Sequence, residues 1–132
     1  DYVMNRIREL YLKDSTVTIV LIGSCTHSRK YIDWEIKSSL RQGIGYIPNG
    51  LIGIVLPSQG KSALLPPRFE ANWNQGHIDC YARYWVYPSS GDVLGQWIDD
   101  AYNSRTSRNC LINNSQSMMA YNSRCKIHNI TH

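Results

Sequence analysis

The sequence has no long hydrophobic run. Its most apolar stretches, VTIVLIG (17–23) and LIGIVLP (51–57), fall well short of the roughly 20 apolar residues that a membrane helix needs. No signal peptide is legible either, so no membrane partner is expected. Charge is also sparse: 14 Lys and Arg against 10 Asp and Glu give a net charge of +4. These charges are scattered and form no basic stripe, so they read as solubility with a weak attraction for anions, and no nucleic-acid partner is expected. The four cysteines, Cys25, Cys80, Cys110 and Cys125, form no C-x-x-C pair. They are too dispersed for a zinc site and too few for a disulfide scaffold, so reduced thiols and a cytoplasmic location are expected. The four histidines (His27, His77, His128, His132) show no ligand spacing. Neither a metal nor a bound cofactor is expected.

What is present fits one globular domain. A chain of 132 residues with 42% apolar content can bury a single core. Residues 1–13 place Val3, Ile7, Leu10 and Tyr11 on one face of a helix, broken at Asp14-Ser15. The β-branched run 16–22 is continuously apolar, which predicts a strand buried on both faces. A polar turn, GSCTHS, leads to a helix over about 29–41, stopped by Gln42-Gly43; a loop and a second buried strand over 51–56 follow. Strand, helix and strand with short links predict a βαβ unit with parallel strands.

Residues 58–76 read as a long irregular loop, because Pro66-Pro67 argue against regular structure. HIDCYARYWVYP (77–88) alternates as a strand near a sheet edge, with one aromatic face. SSGDVLGQWIDDAYNSR reads as a helix capped by Ser89 or Ser90, with Val93, Leu94, Trp97, Ile98 and Ala101 as its buried stripe. The Asn- and Ser-rich segment 109–132 has no periodicity and reads as an irregular tail, packed through Leu111, Ile112, Met118 and Met119. No internal repeats are visible, and 1–132 is expected to be one domain.

Candidate chemistry sits at the first strand's carboxyl end, where open α/β sheets bind ligands. Ser24, Thr26, His27 and Ser28 lie there beside a helix N-terminus, which suits an anion such as phosphate. The same residues equally suit a helix cap. On the following helix Ile32, Ile36, Ser39 and Leu40 share one stripe at about 100° per residue, and Glu35 borders it. Shelter by Tyr31 and Trp34 predicts a raised carboxyl pKa and a role as acid, base or cation stabiliser. The alternative is a boundary glutamate paired with a neighbouring cation. Cys25 has no partner pattern that marks it as a nucleophile. GIGYIPNG precedes a strand where a dinucleotide fingerprint would open a helix, and the acidic cluster of a receiver domain is absent.

Taken together, LYLKDSTVTIVLIG, YIDWEIKSSL, LIGIVLP, VLGQWIDDAYNSR and LINNSQSMMAYNSRC resemble the TIR-like domains of the family found in Thoeris anti-phage systems. The resemblance implies a flavodoxin-like α/β fold, a parallel sheet flanked by helices. It implies cleavage of the nicotinamide–ribose bond of NAD, which is then substrate and not cofactor. It also implies an ADP-ribose-derived signal to a partner effector, and TIR self-association. Glu35 stands at the family's catalytic glutamate, Tyr31 at an aromatic one turn earlier, and Ser24, Thr26, His27 and Ser28 in the turn before that helix. The family begins with a further strand and a long loop; nothing here corresponds to them, and the chain opens at Asp1 already inside a helical pattern. The domain is therefore expected to be incomplete at its N-terminal side. A non-catalytic TIR-like interaction or nucleotide-binding module is the competing expectation.

Overall fold

A computed structural model describes residues 16–60, 63–76 and 79–132. The helix expected over 1–13 lies outside the described residues, as does His77. Among the described residues three parallel strands form the sheet. β1 (Val17–Ile22) pairs with β2 (Gly50–Val55) from Val17 opposite Gly50 to Ile22 opposite Val55, and β2 pairs with β3 (Arg83–Trp85) on its other side. α1 (Lys30–Ser39) connects β1 to β2, as the βαβ reading requires; α2 (Pro67–Trp73) and α3 (Gly91–Ser107) follow. Among the described residues no helix is long and apolar enough to cross a membrane.

Side chains alternate across the sheet and divide the core in two. On one face Val20, Ile22 and Leu51 meet Ile36 and Leu40 of α1, Phe69 of α2, and Tyr81 and Ala82. On the other, Ile52 and Ile54 meet Ala101 of α3, with Leu94, Trp97, Ile98, Trp85 and Val17 around them. A parallel sheet covered by helices on both sides is the α/β, flavodoxin-like arrangement expected. β2 is buried at all six positions, as a continuous apolar run predicts. β1 departs from that expectation: Val20 and Ile22 are buried, whereas Ile19 and Leu21 are exposed. The elements of the second core cover β2 and β3 and reach β1 only at Val17.

Two other expectations need correction. Pro66-Pro67 do not bar a helix but start one. Pro67 is the first residue of α2, where no N–H is needed and the fixed φ already suits the helix, and the Pro66 carbonyl accepts the Glu70 N–H at 2.9 Å. Of the extended run expected over 77–88, the described part, 79–88, holds a three-residue strand. Before it, Asp79–Ala82 bends so that Tyr81 is buried and its hydroxyl donates to the Asn49 carbonyl at 2.7 Å. α3 is capped as expected, with Ser90 Oγ accepting the Val93 N–H.

The C-terminal tail is irregular beyond a short turn at Asn109–Leu111, yet it is tightly held. Ile112 packs against the first core, while Leu111 stays exposed. Most of the attachment is polar. Asn72 acts like a strand partner, donating to the Asn113 carbonyl and accepting the Asn113 N–H, both at 2.8 Å. Arg68, fully buried, donates from Nε to Asp33 Oδ1 at 2.9 Å, from Nη1 to Asn114 Oδ1, and from Nη2 to the Gln116 and Ser117 carbonyls. Asp33 Oδ2 in turn accepts the Met119 N–H at 2.9 Å.

Two stability outcomes follow. A Cβ on Gly50 would lie 2.3 Å from the Ala101 carbonyl oxygen of α3, whereas one on Gly43 would meet nothing within 4 Å. Gly50→Ala should lower urea-unfolding stability by about 1–3 kcal/mol, with Gly43→Ala near wild type. Arg68→Leu should cost about 3–5 kcal/mol by leaving the Asp33 carboxylate buried and unpaired, and adding Asp33→Asn should recover part of that loss in a double-mutant cycle.

Candidate functional site

A groove runs along the outer edge of β1, beside α1. Its inner part, a cavity of about 270 Å³, is lined by Thr18, Ile19, Val20, Leu21, Ile32, Glu35 and Ile36. Its outer part, about 350 Å³, is lined by Cys25, Thr26, Arg29, Tyr31 and Ile32. Ile32 belongs to both walls. Ile32 thus stands between the cavity at the β1–α1 loop and the cavity that holds Glu35, the one carboxylate of this helix flank. Among the described residues β1 pairs only with β2, so this edge carries the groove and not a neighbouring strand.

Glu35 is exposed over much of its surface, yet desolvation raises its carboxyl above the usual glutamate value. The direction is the one expected, but the surroundings differ. The apolar wall beside Glu35 is Ile32, Ile36 and β1. Tyr31 and Trp34 pack edge-to-face on each other at 5.1 Å, with the Lys30 ammonium over both rings. Trp34 Nε1 donates to the Met119 carbonyl, so that ring faces the tail. Tyr31 remains exposed and lines the outer cavity.

The turn Gly23–Ser28 is tied into the protein's own chain. Thr26 Oγ1 accepts the Gly23 N–H at 2.9 Å. Ser28 is buried; its hydroxyl donates to the Cys25 carbonyl, and its own carbonyl accepts the Ser123 N–H. Ser24 Oγ is hydrogen-bonded to His128 Nε2 at 2.9 Å. His27 is buried, and its Nε2 accepts the Lys126 N–H at 3.2 Å, so the neutral ring carries its proton on Nδ1, which has no partner among the described residues. Even the first free N–H of α1, that of Lys30, is taken by Asn122 Oδ1. Of the residues singled out from sequence, Thr26, Tyr31 and Glu35 line the groove; Ser24, His27 and Ser28 anchor the C-terminal tail.

Arg29 was not singled out. It is exposed, forms no ion pair among the described residues, and is the cation of the outer cavity. The available signal was its position directly before the helix, where a side chain can reach a ligand at the first turn.

Burial lowers the His27 pKa, opposed by the Ser24 backbone and aided by Lys126. A histidine whose folded pKa is depressed contributes stability above its unfolded pKa of about 6.5, and that contribution is lost as pH falls. Protonation also removes the acceptor for the Lys126 N–H. Hydrogen exchange of residues 122–128, corrected for intrinsic rates, should therefore accelerate between pH 7 and pH 5, and His27→Gln should flatten this dependence.

Residues 1–61 match the family model described as Thoeris protein ThsB, TIR-like domain. No curated protein and no solved structure matches the chain. The matched segment contains β1, α1, β2 and both cavities, since every lining residue lies between Thr18 and Ile36. Over residues 1–61, slightly less than half of its length, the chain is similar to the TIR-like domain of Thoeris ThsB proteins.

Proposed function

We propose that this TIR-like domain cleaves the nicotinamide–ribose bond of NAD in an anti-phage defence or signalling pathway. The observation that carries the proposal is the Glu35 carboxyl, partly desolvated in a cavity that shares Ile32 with a second one lined by a cation and an exposed aromatic ring. The Arg29 guanidinium suits a diphosphate, the Tyr31 ring suits a base or the nicotinamide, and Glu35 suits the ribose between them.

The reaction asks little of the protein. The bond to C1′ breaks with its electron pair going to the pyridinium nitrogen, so nicotinamide leaves neutral and needs no acid. The ribose becomes oxocarbenium-like. An ionised Glu35 stabilises that cation and accepts hydrogen bonds from the ribose hydroxyls. Water then adds at C1′ and releases a proton, giving ADP-ribose; capture by another hydroxyl of the same molecule would instead give a cyclic signal for an effector protein. One carboxylate is sufficient because no second group has to protonate a leaving alkoxide, unlike ordinary glycoside hydrolysis.

A second reading, a TIR-like module that binds a nucleotide or other TIR domains without turnover, is favoured by the turn itself. Its Ser24 hydroxyl, imidazole and first helical N–H are engaged by the tail, and its Thr26 and Ser28 hydroxyls by the turn's own backbone.

Glu35→Gln should lower NAD turnover by about 100-fold or more with an unchanged unfolding transition. The acid limb of kcat/KM should lie above the ordinary glutamate range, because the active form is the carboxylate and its pKa is raised. Equal turnover by wild type and Glu35→Gln would overturn the catalytic role. NAD binding by both proteins with turnover by neither would establish the second reading.

A further inference from the structure

The tail and the β1–α1 loop also meet at sulfur. Residues 124–131 form a small antiparallel turn: Arg124 bridges Thr131, the Cys125 N–H donates to the Ile130 carbonyl, and Asn129 takes a left-handed φ of 58°. This turn seats Cys125 under the loop, fully buried, with its Sγ 3.6 Å from the Ser24 carbonyl oxygen. Ser24 directly precedes Cys25, so the Cys25 and Cys125 thiols, 100 residues apart in sequence, meet at this contact and influence each other's ionisation. The other two cysteines have different surroundings. Cys80 is buried against Ala82 and Arg83, and Cys110 is exposed.

We propose that Cys25 and Cys125 are a redox pair that forms a reversible disulfide, stapling the C-terminal tail to the β1–α1 loop, with hydrogen peroxide as oxidant. The two thiols are electrostatically unequal. The neighbouring Cys125 thiol, with burial, raises the Cys25 thiol. At Cys125 burial acts upward, but the Cys25 thiol and the His128 and Ile127 N–H groups outweigh it and move that thiol down. Cys125 is therefore the more readily ionised of the two thiols and reacts as its thiolate. Its sulfur attacks a peroxide oxygen, the O–O bond breaks, and the departing hydroxide is protonated to water, leaving a sulfenic acid. Cys25 then attacks that sulfur; the S–S bond forms, the S–O bond breaks, and the second hydroxide leaves as water with the Cys25 proton. Two thiols and one peroxide yield one disulfide and two waters.

Cys25 also lines the Arg29 cavity, so the bond would fix one wall of the groove. That consequence rests on the NAD reading, whereas the bond itself does not.

The test is peptide mapping of the full chain under non-reducing conditions after peroxide treatment, alongside hydrogen exchange. The expected result is an intramolecular Cys25–Cys125 cross-link, reversed by dithiothreitol and absent from Cys25→Ser and Cys125→Ser proteins whose reduced forms unfold like wild type. Oxidation should slow exchange across 122–128 by about tenfold or more. Thiols that remain reduced, bonds to Cys80 or Cys110, or a cross-link only between two chains would each overturn the proposal. None of these readouts depends on NAD turnover, so failure of the disulfide and failure of the NAD reading are separately visible.

Discussion

The buried pair of Arg68 and Asp33 is the interaction on which the rest of the arrangement depends. Removing both charges from water is costly, and their mutual attraction compensates only if the remaining donors and acceptors are satisfied. Here they are: the guanidinium also reaches Asn114 and the carbonyls of Gln116 and Ser117, and the second carboxylate oxygen takes the Met119 N–H. One cluster thus joins α1, α2 and the tail, three segments that are distant in sequence.

The same pair orients α1. Asp33 and Glu35 are two residues apart, about 200° around a helix. Fixing Asp33 toward α2 and the tail turns Glu35 toward the opposite flank, along the edge of β1. Trp34 and Lys37 reinforce this through the Met119, Asn114 and Gln116 carbonyls. The position of the candidate carboxylate is therefore set by a salt bridge that does not touch it.

The tail has a second effect, on what the β1–α1 turn can offer a ligand. A Ser/Thr/His-rich turn at a helix N-terminus is a general anion site, but Ser24, His27, Ser28 and the Lys30 N–H are bonded to residues 122–128. The groove's remaining polar groups come from side chains that project away from the tail: Arg29, Tyr31 and Glu35. The groups left for a ligand here are a guanidinium, an aromatic ring and a carboxylate, with the first helical N–H and the Ser24 and His27 side chains withdrawn.

Local pattern was enough to locate the β1–α1–β2 unit, since apolar runs, a helical stripe and short links are properties of neighbouring residues. It also placed Glu35 beside the core stripe, because helical angles follow from spacing alone, and it found the Ser90 cap of α3. Pro67 was misjudged because proline is a breaker inside a helix and a starter at its first position, and only the surrounding fold distinguishes the two. The exposure of Ile19 and Leu21 depends on which strands and helices lie beside β1, which a run of apolar residues does not encode. The roles of Ser24, His27, Ser28, Asp33, Cys125 and Arg68 were illegible for the same reason: each is defined by a partner from 35 to more than 100 positions away. The sequence by itself determined the elements and the flank of the candidate carboxylate, through periodicity. Only the tertiary structure decided that a polar tail occupies the turn beside it, because buried hydrogen bonds and ion pairs are satisfied by geometry between segments and leave no periodic trace along the chain.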